Sequence, residues 1–139
     1  MTFFYIVLLI AECADGDLRL VGGTEAYEGR LEFCHNGQWG TICDDGWDNG
    51  DARVACRQLG FPEYGAVALQ RAPYGQGTGP IWLDNLRCNA NTHTRLTDCP
   101  GNAIGVHNCD HSEDAGLICP SKSIGEKDAL SLLNSDCSM

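Results

Sequence analysis

The sequence predicts a small α+β domain, a hairpin-rich sheet with a single helix, cross-linked by disulfides. Three observations carry this. Cys43, Cys56, Cys88, Cys99, Cys109 and Cys119 all fall between Asp17 and Pro120. A domain of that size buries too little apolar surface to offset its chain entropy comfortably, and disulfides are the usual remedy outside the cytosol. None of these cysteines has the CxxC spacing of a zinc knuckle or a thioredoxin-like site. Second, Arg30–His35, the turn Asn36-Gly37 and Gln38–Cys43 form the clearest hairpin signal, because both central residues of a type I′ turn need positive φ. Third, Asp48-Asn49 can cap a helix over about Asp51–Leu59. Val54, Ala55, Cys56 and Leu59 would share its apolar face, and Gly60 with Pro62 ends it.

The other elements follow in order. Leu18–Val21 reads as a short strand before Gly22-Gly23. Ala66–Leu69 and Ile81–Leu83 are further strands, separated by the glycine-rich loop Tyr74–Gly79, and Gly116–Cys119 is the closing strand. The run GQGTG at Gly75–Gly79 lacks the Lys-Ser/Thr and helix of a phosphate cradle and is a bend in the sheet. Ahead of these, Met1–Ala11 (MTFFYIVLLIA) is apolar, too short to span a bilayer, and fits the h-region of a signal peptide, although no Lys or Arg precedes it. Cleavage after Gly16 puts Ala14 and Gly16 at the small-residue positions, and cleavage after Cys13 uses Ala11 and Cys13. The expected organisation is a signal peptide over 1–16, one domain over 17–120 and a polar tail over 121–139, in which Lys127–Leu133 can form a weak amphipathic turn or two. There is no internal repeat and no second segment able to cross a membrane.

Charge narrows the partners. The chain carries 9 Lys+Arg against 19 Asp+Glu, a formal net charge of -10, and between Asp17 and Pro120 every basic residue is an arginine. An acidic surface argues against nonspecific binding to nucleic acid or anionic membranes and for divalent cations. With 9 cysteines in 139 residues, the expected compartment is extracellular.

The runs LRLVGG at Leu18–Gly23, EGRLEF, GQWGTICDDGWD, ARVACRQLGF, GQGTGPIWLDNLRC, HNC and HSEDAGLIC together resemble the scavenger receptor cysteine-rich domain, over about Asp17 to Pro120. That resemblance implies a curved antiparallel sheet cradling one helix. Tyr27 and Phe61 stand where the larger cysteine class of the family has cysteines, so the chain is similar to the six-cysteine class, group A. Six cysteines alone leave their connectivity open; the resemblance selects Cys43–Cys109, Cys56–Cys119 and Cys88–Cys99. Outside that framework, Cys13 is expected to leave with, or end, the signal segment. Cys34 sits mid-strand, either as a buried small hydrophobe or in a disulfide. Cys34–Cys137 is then the natural extra pair, the alternative being that Cys137 cross-links two chains.

The carboxylates carry the candidate chemistry. Asp44-Asp45 follow Cys43, and Asp110, Glu113 and Asp114 follow Cys109. If Cys43 and Cys109 are bonded, their Cα atoms lie about 4.4–6.8 Å apart, which draws two acidic loops together. Like charges so close raise each other's pKa unless a cation sits among them, and calcium takes its oxygen ligands from such groups. The resemblance assigns Asp44, Asp45 and Glu113 to one calcium site. It assigns Asp84, Asn85 and Asn108 to a second, weaker one, because LDN here replaces the LDD of some members. The alternative is that these acids cap turns or pair with arginines. DDGWDNGD is not an EF-hand, since Trp47 and Cys56 fall at ligand positions.

Other chemistries fit less well. His107 and His111 flank Cys109 with Cys119 nearby, but a zinc site would need thiolates that the disulfide framework consumes. His35 and His93 are expected at the surface. No GxSxG or HExxH occurs. Asp44-Asp45 with Glu113 as a glycosidase pair would lack a saccharide cleft in so small a domain. Trp39, Trp47 and Trp82 read as core or half-buried rather than as ligand platforms. No Asn-x-Ser/Thr sequon is present, so N-glycosylation is not expected.

The expected function is a secreted, non-catalytic recognition module of pattern-recognition type, binding polyanions, microbial surface polymers or extracellular proteins. In an acidic domain calcium would supply the positive charge, and arginines would add bidentate contacts to sulfate, phosphate or carboxylate. Arg30–Trp39 (RLEFCHNGQW) corresponds to a stretch implicated in bacterial binding in some relatives, which makes Arg30, Glu32 and Trp39 candidate ligand contacts. The alternative is a structural or adhesive protein-interaction module, cross-linked through Cys137.

Overall fold

The structure, a computed structural model, describes residues 13–121. The apolar run Met1–Ala11 read as a signal segment, the expected amphipathic stretch Lys127–Leu133 and Cys137 lie outside the described residues. Among the described residues, six strands and one helix follow in the order β1 (Leu18–Gly22), β2 (Glu28–His35), β3 (Gln38–Ile42), α1 (Asn49–Gln58), β4 (Val67–Leu69), β5 (Ile81–Leu83) and β6 (Gly116–Ile118), with 3₁₀ turns at Leu96–Asp98 and His111–Glu113.

Strand β2 organises the sheet. One edge pairs with β1, from Leu18↔Phe33 to Gly22↔Gly29. The other edge takes β6 over Glu28–Arg30 and then β3 over Glu32–His35. The hairpin turn has Asn36 at φ 53 and Gly37 at φ 72, the left-handed pair that a type I′ turn requires. Strand β4 extends the sheet beyond β6, and β5 extends it beyond β3. The β3–β5 pair is parallel, so the sheet is antiparallel-rich rather than purely antiparallel. A parallel pair needs a crossover connection, and here that connection carries α1 and β4.

Alternation along β2 separates two environments. Leu31 and Phe33 face the core with Val54, Ala55 and Cys56 of α1, Trp47, Leu83 and Leu117. Glu32 and Cys34 point the other way yet are also buried, because arginines and the N-terminal arm cover them. The helix begins with a reciprocal cap: Asp51 N–H donates to Asp48 Oδ1 at 3.1 Å, and Asp48 N–H donates to Asp51 Oδ2 at 3.0 Å. Asp51 Oδ1 also accepts the Cys88 N–H at 2.7 Å, tying the helix start to the Cys88–Cys99 loop. Gly60, at φ 87, closes the helix, and Phe61 N–H returns to Cys56 O at 2.9 Å.

Four disulfides join this scaffold. Cys56–Cys119 links helix to β6, Cys43–Cys109 links the end of β3 to the loop before the second 3₁₀ turn, and Cys88–Cys99 closes a short loop. The fourth is Cys13–Cys34, with Cα atoms 6.1 Å apart. This corrects two expectations: Cys34 does not pair with Cys137, and Cys13 is part of the fold. The reason is local. Gly16 N–H donates to Cys34 O and Cys34 N–H to Asp17 O, both at 2.9 Å, while Asn36 N–H donates to Asp15 Oδ1 at 2.8 Å. Gln58 of the helix grips Gly16 O at 2.7 Å. The arm 13–17 therefore lies along β2 and brings Cys13 onto the buried Cys34, so eight cysteines are paired where a six-cysteine framework was expected.

Candidate metal centre

The Cys43–Cys109 bridge assembles the site. Cys43 N–H donates to Leu83 O, Ala115 N–H donates to Ile42 O and Asp44 N–H donates to Glu113 O, each at 2.8 Å. The loop after β3, the end of β5 and the HSEDAG turn are thereby stitched into one edge. Trp47, buried with its indole N–H on Gly116 O at 2.9 Å, anchors the far side of the Asp44-Asp45 loop.

Within this edge, ligand atoms of Cys43, Asp45, Cys109 and Glu113 all lie within 4.8 Å of one another. The two sulfurs are bonded together and offer no thiolate, so the usable donors are the Asp45 and Glu113 carboxylates. Asp45 Oδ2 rests 3.7 Å from Cys109 Sγ, a packing contact, because an oxidised sulfur has no proton to donate. Glu113 Oε2 accepts the Asp110 N–H at 2.9 Å, so one of its oxygens also closes the 3₁₀ turn. Asp110 itself is a turn cap: Ser112 donates both its hydroxyl and its N–H to Oδ1, and these bonds hold Asp110 below the usual carboxylate range. Asp44 turns away from the convergence, its Oδ2 accepting the Arg71 N–H at 2.7 Å. Of the first expected triad, the structure brings Asp45 and Glu113 together and gives Asp44 to a neighbouring loop.

Asp84 is the other notable acid. It is 1 % exposed, its Oδ2 accepts from Asn102 Nδ2 at 3.3 Å, and its Oδ1 is buried without a hydrogen-bond partner. Burial, and after it the Asp45 charge, pushes its carboxyl up. The N–H groups of Asn85 and Asn108 pull the other way, without reaching Oδ1 in hydrogen-bond geometry. Asn85 sits at φ 56 beside it, and Asn108 is exposed with Oδ1 3.6 Å from Cys109 Sγ. The two expected sites are electrostatically linked, because the Asp45 charge is felt at Asp84.

The expected ligand contacts on β2 and β3 are occupied within the molecule. Glu32 holds Arg19 at 2.7 Å and Arg30 at 2.8 Å, with side chains 7 % exposed for Glu32 and 14 % for Arg30. Arg19 stacks over Trp39 at 4.3 Å. Arg30 also donates to Gly75 O at 3.2 Å, so this group works as a strap on the 74–75 loop. The histidines are struts: His111 Nδ1 lies 3.0 Å from the buried Asp114 and Nε2 lies 3.0 Å from Gly79 O, while His107 Nδ1 accepts the Cys109 N–H at 3.0 Å. His93 accepts the Asn89 N–H at 2.8 Å, and His35 stands edge-on to Trp82, half-buried rather than on the surface. Both cysteines of the zinc reading, Cys109 and Cys119, are in disulfides. Two positions near the site had no sequence signal. Arg71 and Ala72 are consecutive left-handed residues, at φ 65 and 49, without the glycine that usually marks such backbone.

The match to known proteins is decisive. Residues 21–120 fit the family model of the scavenger receptor cysteine-rich domain. The chain belongs to the scavenger receptor cysteine-rich family. A scavenger receptor cysteine-rich domain superfamily protein of Patiria pectinifera is 49% identical over 109 residues, covering 78% of this chain and 10% of that relative. The chain therefore spans about a tenth of the relative's length. Among solved structures, the third such domain of murine neurotrypsin is 52% identical with TM-score 0.66, covering 74% of this chain and 94% of that one. The domain of mouse MARCO, in a dimeric form, is 51% identical with TM-score 0.62, covering 73% and 93%. Both share the curled, antiparallel-rich, disulfide-rich sheet with one helix. Domains of this family are extracellular, receptor-type recognition modules and non-catalytic. No helix among the described residues is long and apolar enough to cross a membrane.

Proposed function

We propose that this domain is a secreted recognition module that binds polyanionic or microbial-surface ligands through calcium held at two acidic positions, one at Asp45 and Glu113 with Asp44 at its rim, the other at Asp84 with Asn85 and Asn108. The observation that carries this reading is the buried Asp84 Oδ1, which lacks a hydrogen-bond partner while Asp45 adds like charge beside it. Capping explains Asp44, Asp110 and one oxygen of Glu113; it does not explain Asp45 or the free Asp84 oxygen. No arginine forms an ion pair with Asp45, Asp84 or Glu113 among the described residues; the ion-paired arginines all go to Glu32 and Glu63. A hard divalent cation with oxygen ligands is the group that such a cluster suits. Bound there, calcium would supply positive charge on an otherwise acidic surface, where an anionic ligand oxygen can complete its coordination. Four disulfides suit an oxidising compartment, and the three bridges Cys43–Cys109, Cys56–Cys119 and Cys88–Cys99 are the group A framework, with Cys13–Cys34 an addition.

The test is binding to dextran sulfate and bacterial surface extracts, with calcium and with chelator. Loss of binding in chelator supports the reading; equal binding in both overturns it. One observation favours the adhesive alternative: Ile104 and Val106 are 42% and 57% exposed on one loop, next to the half-buried Trp82, as in a protein-contact surface. A covalent dimer on nonreducing gels that is lost on reduction would support that second reading.

A further inference from the structure

Building on the polyanion reading above, we propose that Arg71 is the second contact of a two-point anion receptor, its guanidinium seizing a sulfate or phosphate ester beside the cation-binding carboxylates. Arg71 is exposed, and among the described residues its guanidinium forms no ion pair. Arg19 and Arg30 are occupied by Glu32, and Arg53 and Arg57 by Glu63. An arginine beside an acidic cluster would ordinarily turn its side chain onto a carboxylate. Here the backbone takes that acceptor instead: Arg71 N–H donates to Asp44 Oδ2 at 2.7 Å, which leaves the guanidinium for an outside partner.

The backbone is held in this arrangement against its own preference. Arg71 and Ala72 are at φ 65 and φ 49, a left-handed pair disfavoured for residues with a Cβ, and such strain persists only where surrounding contacts enforce it. Those contacts are on every side of the loop. Ala72 N–H donates to Asp114 O at 2.9 Å, and Gly77 N–H to Asp114 Oδ2 at 2.7 Å. Tyr74 OH donates to Glu28 Oε2 at 2.8 Å, and Arg30 reaches Gly75 O at 3.2 Å. Asp44, which pins Arg71, is adjacent to Asp45 in sequence and donates its own N–H to Glu113 O at 2.8 Å. The base of Arg71 is thus fixed against the same loop that carries the metal-binding acids. A planar guanidinium binds two oxygens of a sulfate or phosphate at once, and an anchor fixed before binding loses less entropy on association. The ligand class is a polymer bearing sulfate or phosphate esters, read by charge and geometry rather than by sugar identity.

The experiment uses the whole chain with Arg71→Gly, Arg71→Ala and Arg71→Lys, and Arg95→Ala as an exposed control at the first 3₁₀ turn. Glycine accepts positive φ, so Arg71→Gly stays folded, with a Tm at or above wild type, and separates binding from folding. In saturating calcium, Arg71→Gly and Arg71→Ala lose about tenfold in affinity for dextran sulfate. The lysine variant falls between, and Arg95→Ala is unchanged. Calorimetric calcium affinity stays at the wild-type value throughout. A poly(glycerol phosphate) arm separates phosphate from sulfate ligands, and uncharged dextran binds neither protein. If Arg71→Gly binds both anionic polymers as wild type does, while wild type still requires calcium, this inference alone is overturned. If wild type binds neither polymer in calcium, the polyanion reading falls and this inference with it.

Discussion

Removing the charge of Asp51 should flatten part of the pH dependence of stability. Asp51 is 1 % exposed at the helix start, and burial pushes its carboxyl up to about 6, from the ordinary 3.8. The folded state therefore holds this proton more tightly than the unfolded chain. Between pH 3.8 and about 6 the folded protein binds more protons, so unfolding free energy falls as pH rises through that window. The contribution is largest in acid and is lost by pH 7, a change on the order of 3 kcal/mol. Asp51→Asn cannot make this change. It also costs about 1–2 kcal/mol at pH 4, because an amide keeps one acceptor oxygen for the two N–H donors of Asp48 and Cys88. Asp51→Ala, leaving both donors without that side chain, costs about 2–4 kcal/mol. Urea denaturation at pH 4, 5, 6 and 7 in chelator, with disulfides intact, measures all three proteins. Wild type should lose roughly 2–3 kcal/mol more than Asp51→Asn between the ends of the range. Parallel pH profiles for wild type and Asp51→Asn would refute the assignment of a destabilising buried charge to this residue.

Three further outcomes are expected. Peptide mapping of the nonreduced protein should recover Cys13 joined to Cys34, and Cys13→Ser should lose about 2–3 kcal/mol because a loop of separation 21 is opened; a mature protein that begins after Cys13 would contradict this. Asp84→Asn should leave the calcium-free protein as stable as wild type or up to about 1 kcal/mol more so, by removing a buried charge beside Asp45, while the rise in Tm on adding calcium shrinks; an unchanged calcium response would return Asp84 to a purely structural role. Chelator should leave the domain folded at room temperature, since four disulfides and the apolar core do not depend on metal, and circular dichroism showing unfolding would contradict that.

Local rules made much of the fold readable. Asn36-Gly37 announced a turn because few other residues tolerate two positive φ values, and Asp48 announced a helix start because its side chain can satisfy a free N–H. The parallel β3–β5 pairing was not readable, since alternation within a strand does not name its neighbour. Cys13 was hidden by the apolar run before it, which resembles a leader whatever the following cysteine does. At the site, the proximity of the Asp44-Asp45 loop to Glu113 was readable through the Cys43–Cys109 bridge. The diversion of Asp44 was not, because Arg71 and Ala72 adopt left-handed backbone without glycine and only tertiary contacts impose it. The pairing of Arg30 and Glu32 within the molecule was hidden for a related reason. Alternation puts them on the outer face of β2, but Arg19 of β1 pairs across to Glu32 and closes that face.

The most direct measurement of the central claim is the affinity for dextran sulfate as free calcium is raised at constant ionic strength, for wild type, Asp45→Asn and Glu113→Gln. Both substitutions remove charge while keeping an acceptor oxygen, so the Glu113 cap on Asp110 survives. Wild-type affinity should rise with a midpoint at about 10⁻⁴–10⁻³ M calcium, and the rise should vanish or shift at least tenfold to higher calcium in both variants. Affinity that is independent of calcium in wild type, or an identical midpoint in all three proteins, would contradict the account.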